Sequence, residues 1–165
     1  MSTMGQIKMS ENSRKKPVRA LVNRILQLLA NGLPLLPSQR VWIHRRRGVR
    51  IGKNVFIGIG VLIDDAYPEK VIIEDKATII ARSIILAHSI YPNHFQKVLK
   101  NTISETKIKE GAYIGAASII LPGVIVGKYS IIGAGSVVTK SIPDYSKAVG
   151  SPARAVGKID KNLIQ

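Results

Sequence analysis

Residues 108–140 read IKEGAY IGAASI ILPGVI VGKYSI IGAGSV VTK. Split into sixes, this stretch places Ile108, Ile114, Ile120, Val126, Ile132 and Val138 at a single phase. Four places after each aliphatic stands a small or β-branched residue: Ala112, Ser118, Val124, Ser130 and Ser136. An unbroken period of six is the hexapeptide signature of a parallel β-helix, an all-β solenoid. Each hexad is one short strand plus a corner. The aliphatic points into the prism and the small residue fits beside it, and stacked coils bury a ladder of Ile and Val suited to β-branched packing. Glycine after the aliphatic, as at Gly115, Gly127 and Gly133, is expected to supply corner backbone that a Cβ would hinder.

Working outward, the rhythm extends back to Ile51 as IGKNVF, IGIGVL and IDDAYP. Four extra residues around Glu69 and Lys70 shift the phase, which resumes at Ile73 as IEDKAT, IIARSI and ILAHSI. It then stops. YPNHFQKVLKNTISET, residues 91–106, contains no hexad, and Ile108 resumes out of step with Ile85. An interruption of this kind predicts one loop protruding from the prism over residues 90–107, on a face that such solenoids often use for binding. The chain divides into a basic N-terminal arm (1–47), the β-helix (48–156) and a short tail (157–165).

The arm carries most of the charge. Of 25 Lys and Arg against 10 Asp and Glu (net +15), residues 1–50 hold 11 basic and one acidic residue. Such an arm attracts nucleic acid, anionic lipid or a phosphorylated ligand. Pro17 to Asn31 reads as a helix with Pro in its first turn and Gly32 past its end. Val18, Leu21, Val22, Ile25, Leu28 and Leu29 form one apolar stripe. The favoured expectation is that this stripe packs on the open end of the prism, hiding strand edges; the alternative is a basic amphipathic helix lying on an anionic membrane. Ser38 is a candidate cap for a second short helix through Val41, Trp42 and Ile43, and Arg45-Arg46-Arg47 reads as a solvated run. The breaks at Arg19, Asn23, Arg24, Gln27, Pro34 and Pro37 speak against a secretory leader or a spanning helix. The absence of cysteine excludes disulfides, zinc thiolates and a thiol nucleophile, and is compatible with a cytoplasmic protein.

Three histidines are available for chemistry. His88 stands where the loop leaves the prism, with Ile85 and Ser89 expected inward and the imidazole at a corner, where it can take a proton from an acceptor hydroxyl. His94, inside the loop, competes for that role or contacts the acceptor, and His44 reads as structural. Asp64 and Asp65 are acceptor-side candidates on what reads as a surface turn. No G-x-S-x-G elbow is present, and the glycines of Ile132–Ser136 follow the hexad rhythm rather than a dinucleotide loop. There is no aromatic platform or nucleic-acid module, so no nucleic-acid partner is expected. No metal site is expected either: a carbonic anhydrase of this architecture needs three converging histidines, and His44 is poorly placed for one.

The segments LAHS and TKIKEGAYIGAASIILPGVIVGKYSIIGAGSVVTKSIPDYSKAVGSPAR resemble the hexapeptide-repeat acetyltransferases, in the branch of galactoside, maltose and surface-polysaccharide O-acetyltransferases. The resemblance implies a left-handed parallel β-helix, an exception to the right-handed crossover rule. It also implies acetyl-CoA as co-substrate, and a homotrimer with sites between neighbouring prisms. Residue by residue, it implies that His88 is the general base. Tyr113, Ala116, Ala134, Thr139 and Lys140 would line the cofactor groove, with Arg154 near the nucleotide phosphates. Tyr113 stands where relatives often have Trp, and Ala116 where they often have Ser. The acceptor-binding residues in the N-terminal region of the maltose and galactoside enzymes are not matched here, where a basic amphipathic helix stands instead, which points away from a small free sugar and towards a glycan or lipid-linked sugar. An N-acetyltransferase acting on an amino-sugar, or a drug-acetylating relative, and a non-catalytic scaffold are the competing readings.

Overall fold

The computed structural model describes residues 17–33 and 35–164. Two helices, α1 (Pro17–Gly32) and α2 (Pro37–Arg47), precede a three-faced prism of very short strands. The first face stacks Arg50–Ile51, Val71–Ile73, Thr106–Ile108 and Ile125–Val126 in parallel. The second stacks Phe56–Ile57, Thr78–Ile79, Tyr113–Ile114, Ile131–Ile132 and Ser146–Gly150, and Ala153–Lys158 closes it antiparallel. The third stacks Leu62–Ile63, Ile84–Ile85, Ile119–Ile120 and Val137–Val138. The chain visits the faces in turn, one hexad per face, and the architecture is the left-handed parallel β-helix.

The hexad explains each coil atom by atom. Its first residue is buried: Ile57, Ile63, Ile79, Ile85, Ile108, Ile114, Ile120, Val126, Ile132 and Val138 have no measurable exposure. Its fourth residue takes positive φ, at Asn54, Gly60, Lys76, Arg82, Gly111, Ala117, Gly123, Tyr129 and Gly135. Its fifth turns inward, and where this is serine the hydroxyl donates to the next coil, as Ser83 Oγ does to the Gly115 carbonyl at 2.9 Å and Ser118 Oγ to that of Gly133 at 3.0 Å. The left-handed corner therefore falls on the fourth place, not on the glycines after the aliphatics. Gly115 is needed for closeness: a Cβ there would sit 2.5 Å from the Ala134 amide nitrogen. Truncating one of these Ile side chains to Ala would cost about 2–5 kcal/mol.

α1 reverses the expected orientation. Asn23, Gln27 and Ala30, at i, i+4 and i+7, face the protein and are buried, whereas Leu21, Val22, Ile25, Leu28 and Leu29 are exposed. The cause lies at the end of the prism. Phe56–Ile57 and Leu62–Ile63 are edge strands, whose carbonyls need donors rather than methyl groups. Gln27 Nε2 reaches the Val61 carbonyl at 3.4 Å, Arg40 Nη1 that of Ile57 at 3.3 Å, and Arg47 Nη2 those of Ile63 and Asp64 at 2.9 and 3.0 Å. Arg47 is thus buried, unlike the exposed Arg45 and Arg46. Ser38 lies within the first turn of α2 rather than capping it; Pro37 opens the helix, and the Gln39 side chain accepts the Leu36 amide at 2.8 Å.

The interruption after Ile85 folds as an antiparallel ribbon of His88–Ser89 against Thr102–Ile103, with a helical turn at Asn93–Phe95 near its tip. Within ILAHSI the inward place falls to Ala87, fully buried, and Ser89 is only partly covered. The coil leaves its hexad path two residues early because Asp64 captures it there.

Candidate active site

Ile63 pairs with Ile85 on the third face, so Asp64 lies beneath the point where the next coil departs. Its side chain is fully buried. Oδ1 accepts the backbone amides of Ala66 (3.0 Å) and Tyr67 (2.8 Å), which close the turn that follows it. Oδ2 accepts the amides of Ala87 (2.7 Å) and His88 (3.0 Å) and the His88 ring Nδ1 at 2.6 Å. One carboxylate therefore fixes the departing backbone and the imidazole together. Burial alone would raise its pKa, but the amides of Tyr67 and Ala87 and the His88 ring outweigh that and hold it below the ordinary carboxylate value. Asp64 is charged, and the short contact assigns the ring proton to Nδ1. His88 Nε2 is the ring nitrogen left out of this contact, on a side chain about one-fifth exposed. The Tyr67 ring meets the imidazole edge-on at 5.4 Å.

This corrects the surface-turn expectation for Asp64, whose side chain is buried with five donors on its two oxygens. Asp64, Asp65 and His88 offer ligand atoms within 4.8 Å of one another, but the saturated Asp64 carboxylate makes a poor metal ligand. Asp65 is exposed at the mouth of the site. Behind the turn stands Arg47, whose guanidinium holds the Asp64 carbonyl and whose Nη1 lies 3.0 Å from His44 Nδ1. Burial lowers the Arg47 pKa to about 10 against the pull of Asp65 and Asp64, so it remains a cation.

Other candidate residues are placed on separate surfaces. His94 is exposed near the ribbon tip, its ring 4.3 Å from that of Phe95. Ala116 and Ala134 stack at the corner between the second and third faces, where the Gly135 amide donates to the Ala116 carbonyl at 2.8 Å. Tyr113 projects from the second face, half-exposed. Thr139 and Lys140, exposed, follow the last third-face strand on the edge from which His88 also departs. Arg154 lies exposed on the terminal hairpin, its Nη1 on the Ala153 carbonyl at 3.0 Å. The third face thus separates His88 from the alanine corner within one chain. Arg47 and Tyr67 escaped the sequence reading. The Asp64 partnership was open to a count: the 22 residues from Ile63 to Ile85 are three hexads plus the four-residue insertion.

Fold and repeat together define a hexapeptide-repeat protein with the architecture of the hexapeptide acetyltransferases. Residues 105–140 match the family "Bacterial transferase hexapeptide (six repeats)". Over 58 residues the chain is 52% identical to a dTDP-3-amino-3,6-dideoxy-α-D-galactopyranose 3-N-acetyltransferase of Aneurinibacillus thermoaerophilus, covering 35% of this chain and 30% of that one. The chain therefore matches less than a third of that relative's length. Among solved structures it superposes on a hexapeptide-repeat-containing acetyltransferase of Vibrio cholerae with a TM-score of 0.71 at 22% identity, over 87% of this chain and 92% of the other. A galactoside acetyltransferase in complex with coenzyme A gives a TM-score of 0.67 at 23% identity, over 94% and 86%.

Proposed function

We propose that this protein is an acetyl-CoA-dependent acetyltransferase that esterifies a sugar hydroxyl, the acceptor being a surface polysaccharide or lipid-linked glycan met at the inner face of the membrane. The observation that carries the reading is the Asp64–His88 pair at the base of a ribbon on a hexapeptide prism. His88 Nε2 takes the hydroxyl proton as the oxygen attacks the thioester carbonyl. The tetrahedral intermediate, its oxyanion met by backbone amides, collapses and expels the CoA thiolate, which recovers the proton from the imidazolium. Asp64, ionised throughout, stabilises that imidazolium. Tyr113, Ala116, Ala134, Thr139 and Lys140 are assigned to the pantetheine groove and Arg154 to the phosphates, where small side chains admit the chain of the cofactor and cations meet its charge. Because the alanine corner and His88 lie on opposite edges of the third face, the groove is completed by a neighbouring prism in a homotrimer.

A second reading, transfer to an amino-sugar nitrogen, is favoured by the 52% identity to a sugar 3-N-acetyltransferase. A panel of hydroxyl and amino-sugar acceptors with acetyl-CoA separates the two. Free CoA can be followed with a thiol-reactive chromogen, since the protein has no cysteine to react. His88→Ala is expected to lower kcat by about a hundred- to ten-thousandfold, or about 3–5 kcal/mol of barrier. Acetyl-CoA affinity by calorimetry should stay near its original value. Full turnover in His88→Ala would overturn the assignment.

A further inference from the structure

The exposed side of α1 has no occupant within the described chain. Taking Asn23 as the inward direction, helical geometry at 100° per residue sets Leu21, Ile25 and Leu28 nearly opposite it, with Val22 and Leu29 continuing the same arc. All five are exposed, from 40% at Leu29 to 71% at Leu28. Arg24, also exposed, flanks this arc. α2 adds Trp42, 55% exposed, with the Arg46 guanidinium 4.9 Å from its ring centre. A contiguous aliphatic face of this kind marks an interaction surface.

Charge identifies the occupant. Between Glu11 and Asp64 the sequence has no acidic residue; of its 11 Lys and Arg, Arg40 and Arg47 are buried in the cap and Arg50 is paired with Glu105, while Arg24 and Arg46 stand exposed beside the aliphatic face. A second copy docking on this face through its own α1 would bring one acid-free cationic rim against another. An anionic lipid surface meets both demands, taking the aliphatic side chains between its acyl chains and the guanidinium groups among its phosphates. Among the described residues no helix is long and apolar enough to cross a membrane, so the contact is peripheral.

We propose that the outward face of α1 is a docking surface for an anionic lipid bilayer, laying the helix in the headgroup layer with the prism on its aqueous side. The proposal deepens the membrane location given above but stands apart from the chemistry, because lipid binding needs neither acetyl-CoA nor His88. The test uses the full chain, sedimented with vesicles of phosphatidylcholine alone or mixed with phosphatidylglycerol, at low and high salt. Binding is expected only with phosphatidylglycerol, and salt should weaken it. Arg24→Ala should reduce partitioning about fivefold, and the double variant Ile25→Ser with Leu28→Ser on the order of a hundredfold. These side chains are exposed, so an unchanged thermal melt is expected to accompany the loss. The proposal falls if the intact protein ignores phosphatidylglycerol vesicles at low salt, or if the double variant binds them as well as the original. It also falls if the double variant changes the subunit number by light scattering without any lipid effect, which would make α1 a contact between copies. Failure here leaves acetyl transfer standing, because CoA release is measured without lipid.

Discussion

Replacing Asp64 with Asn removes one charge while nearly preserving shape, and the five contacts to its carboxylate set the consequences. An amide has one acceptor oxygen where the carboxylate has two. Turned towards the ribbon, the Asn oxygen keeps the Ala87 and His88 donors but points its NH2 at the amides of Ala66 and Tyr67; turned the other way, it loses those of Ala87 and His88. Either way two backbone donors lose their acceptor, at about 1–3 kcal/mol each, so stability should fall by about 2–6 kcal/mol. Catalysis should fall as well, because the imidazolium loses its counter-charge and the Nδ1 proton its fixed acceptor; loss of such an orienting carboxylate has cost as much as ~10⁴ in kcat elsewhere. Thermal melting and kcat would be measured for Asp64→Asn, His88→Ala and the double variant at a temperature where all are folded. In the proposed mechanism Asp64 acts only through His88, so the double variant should turn over no more slowly than His88→Ala alone. If Asp64→Asn slows the His88→Ala protein by the same factor as the original, or leaves both melting and kcat unchanged, the carboxylate does not aim the imidazole.

Two further outcomes follow from the other histidines. His94, exposed on the ribbon, should affect acceptor binding more than chemistry, so His94→Ala is expected to raise the acceptor KM more than it lowers kcat in steady-state assays; an abolished kcat would make it the base. His44 is held down to about 3 by burial first and then by Arg47 and Arg40, against about 6.5 in the unfolded chain. The unfolded state therefore binds the extra proton between those values. Its contribution is complete above pH 6.5 and is lost as pH falls towards 3, at about 1.4 kcal/mol per unit through most of that window. Urea unfolding between pH 7 and 5 should show this slope, and His44→Gln should flatten it.

Sequence and structure agree best where one rule acts at every coil. The period of six, the inward aliphatics and the small fifth-place residues were legible because each coil repeats the same packing problem. The place of His88, where the loop leaves the prism, was legible from the break in the rhythm. Asp64 and Arg47 were misread for a shared reason: charge and turn position suggest water, while burial depends on which backbone groups lie opposite, and that appears only after the coils are stacked. The apolar stripe of α1 was found, but its direction was not. Periodicity says that a helix has two unlike faces and leaves open which of them its neighbour requires.

At the end of this prism the neighbour requires donors. Gln27, Arg40 and Arg47 supply them to the carbonyls of Val61, Ile57, Ile63 and Asp64, each of which would lose about 1–3 kcal/mol if buried without a partner. Leu or Ile in those places would fill space and leave the carbonyls unmet; α2 supplies most of these donors, and α1 contributes Gln27. The aliphatic face of α1 points outward, and its covering by lipid is the compensation proposed here. The same geometry ties the cap to the chemistry. Residues 63 and 64 present their carbonyls to Arg47 on one side, while the Asp64 carboxylate grips Ala87 and His88 on the other. A perturbation that loosens α2 therefore reaches the imidazole through one turn of backbone, with no contact of its own to the reacting atoms.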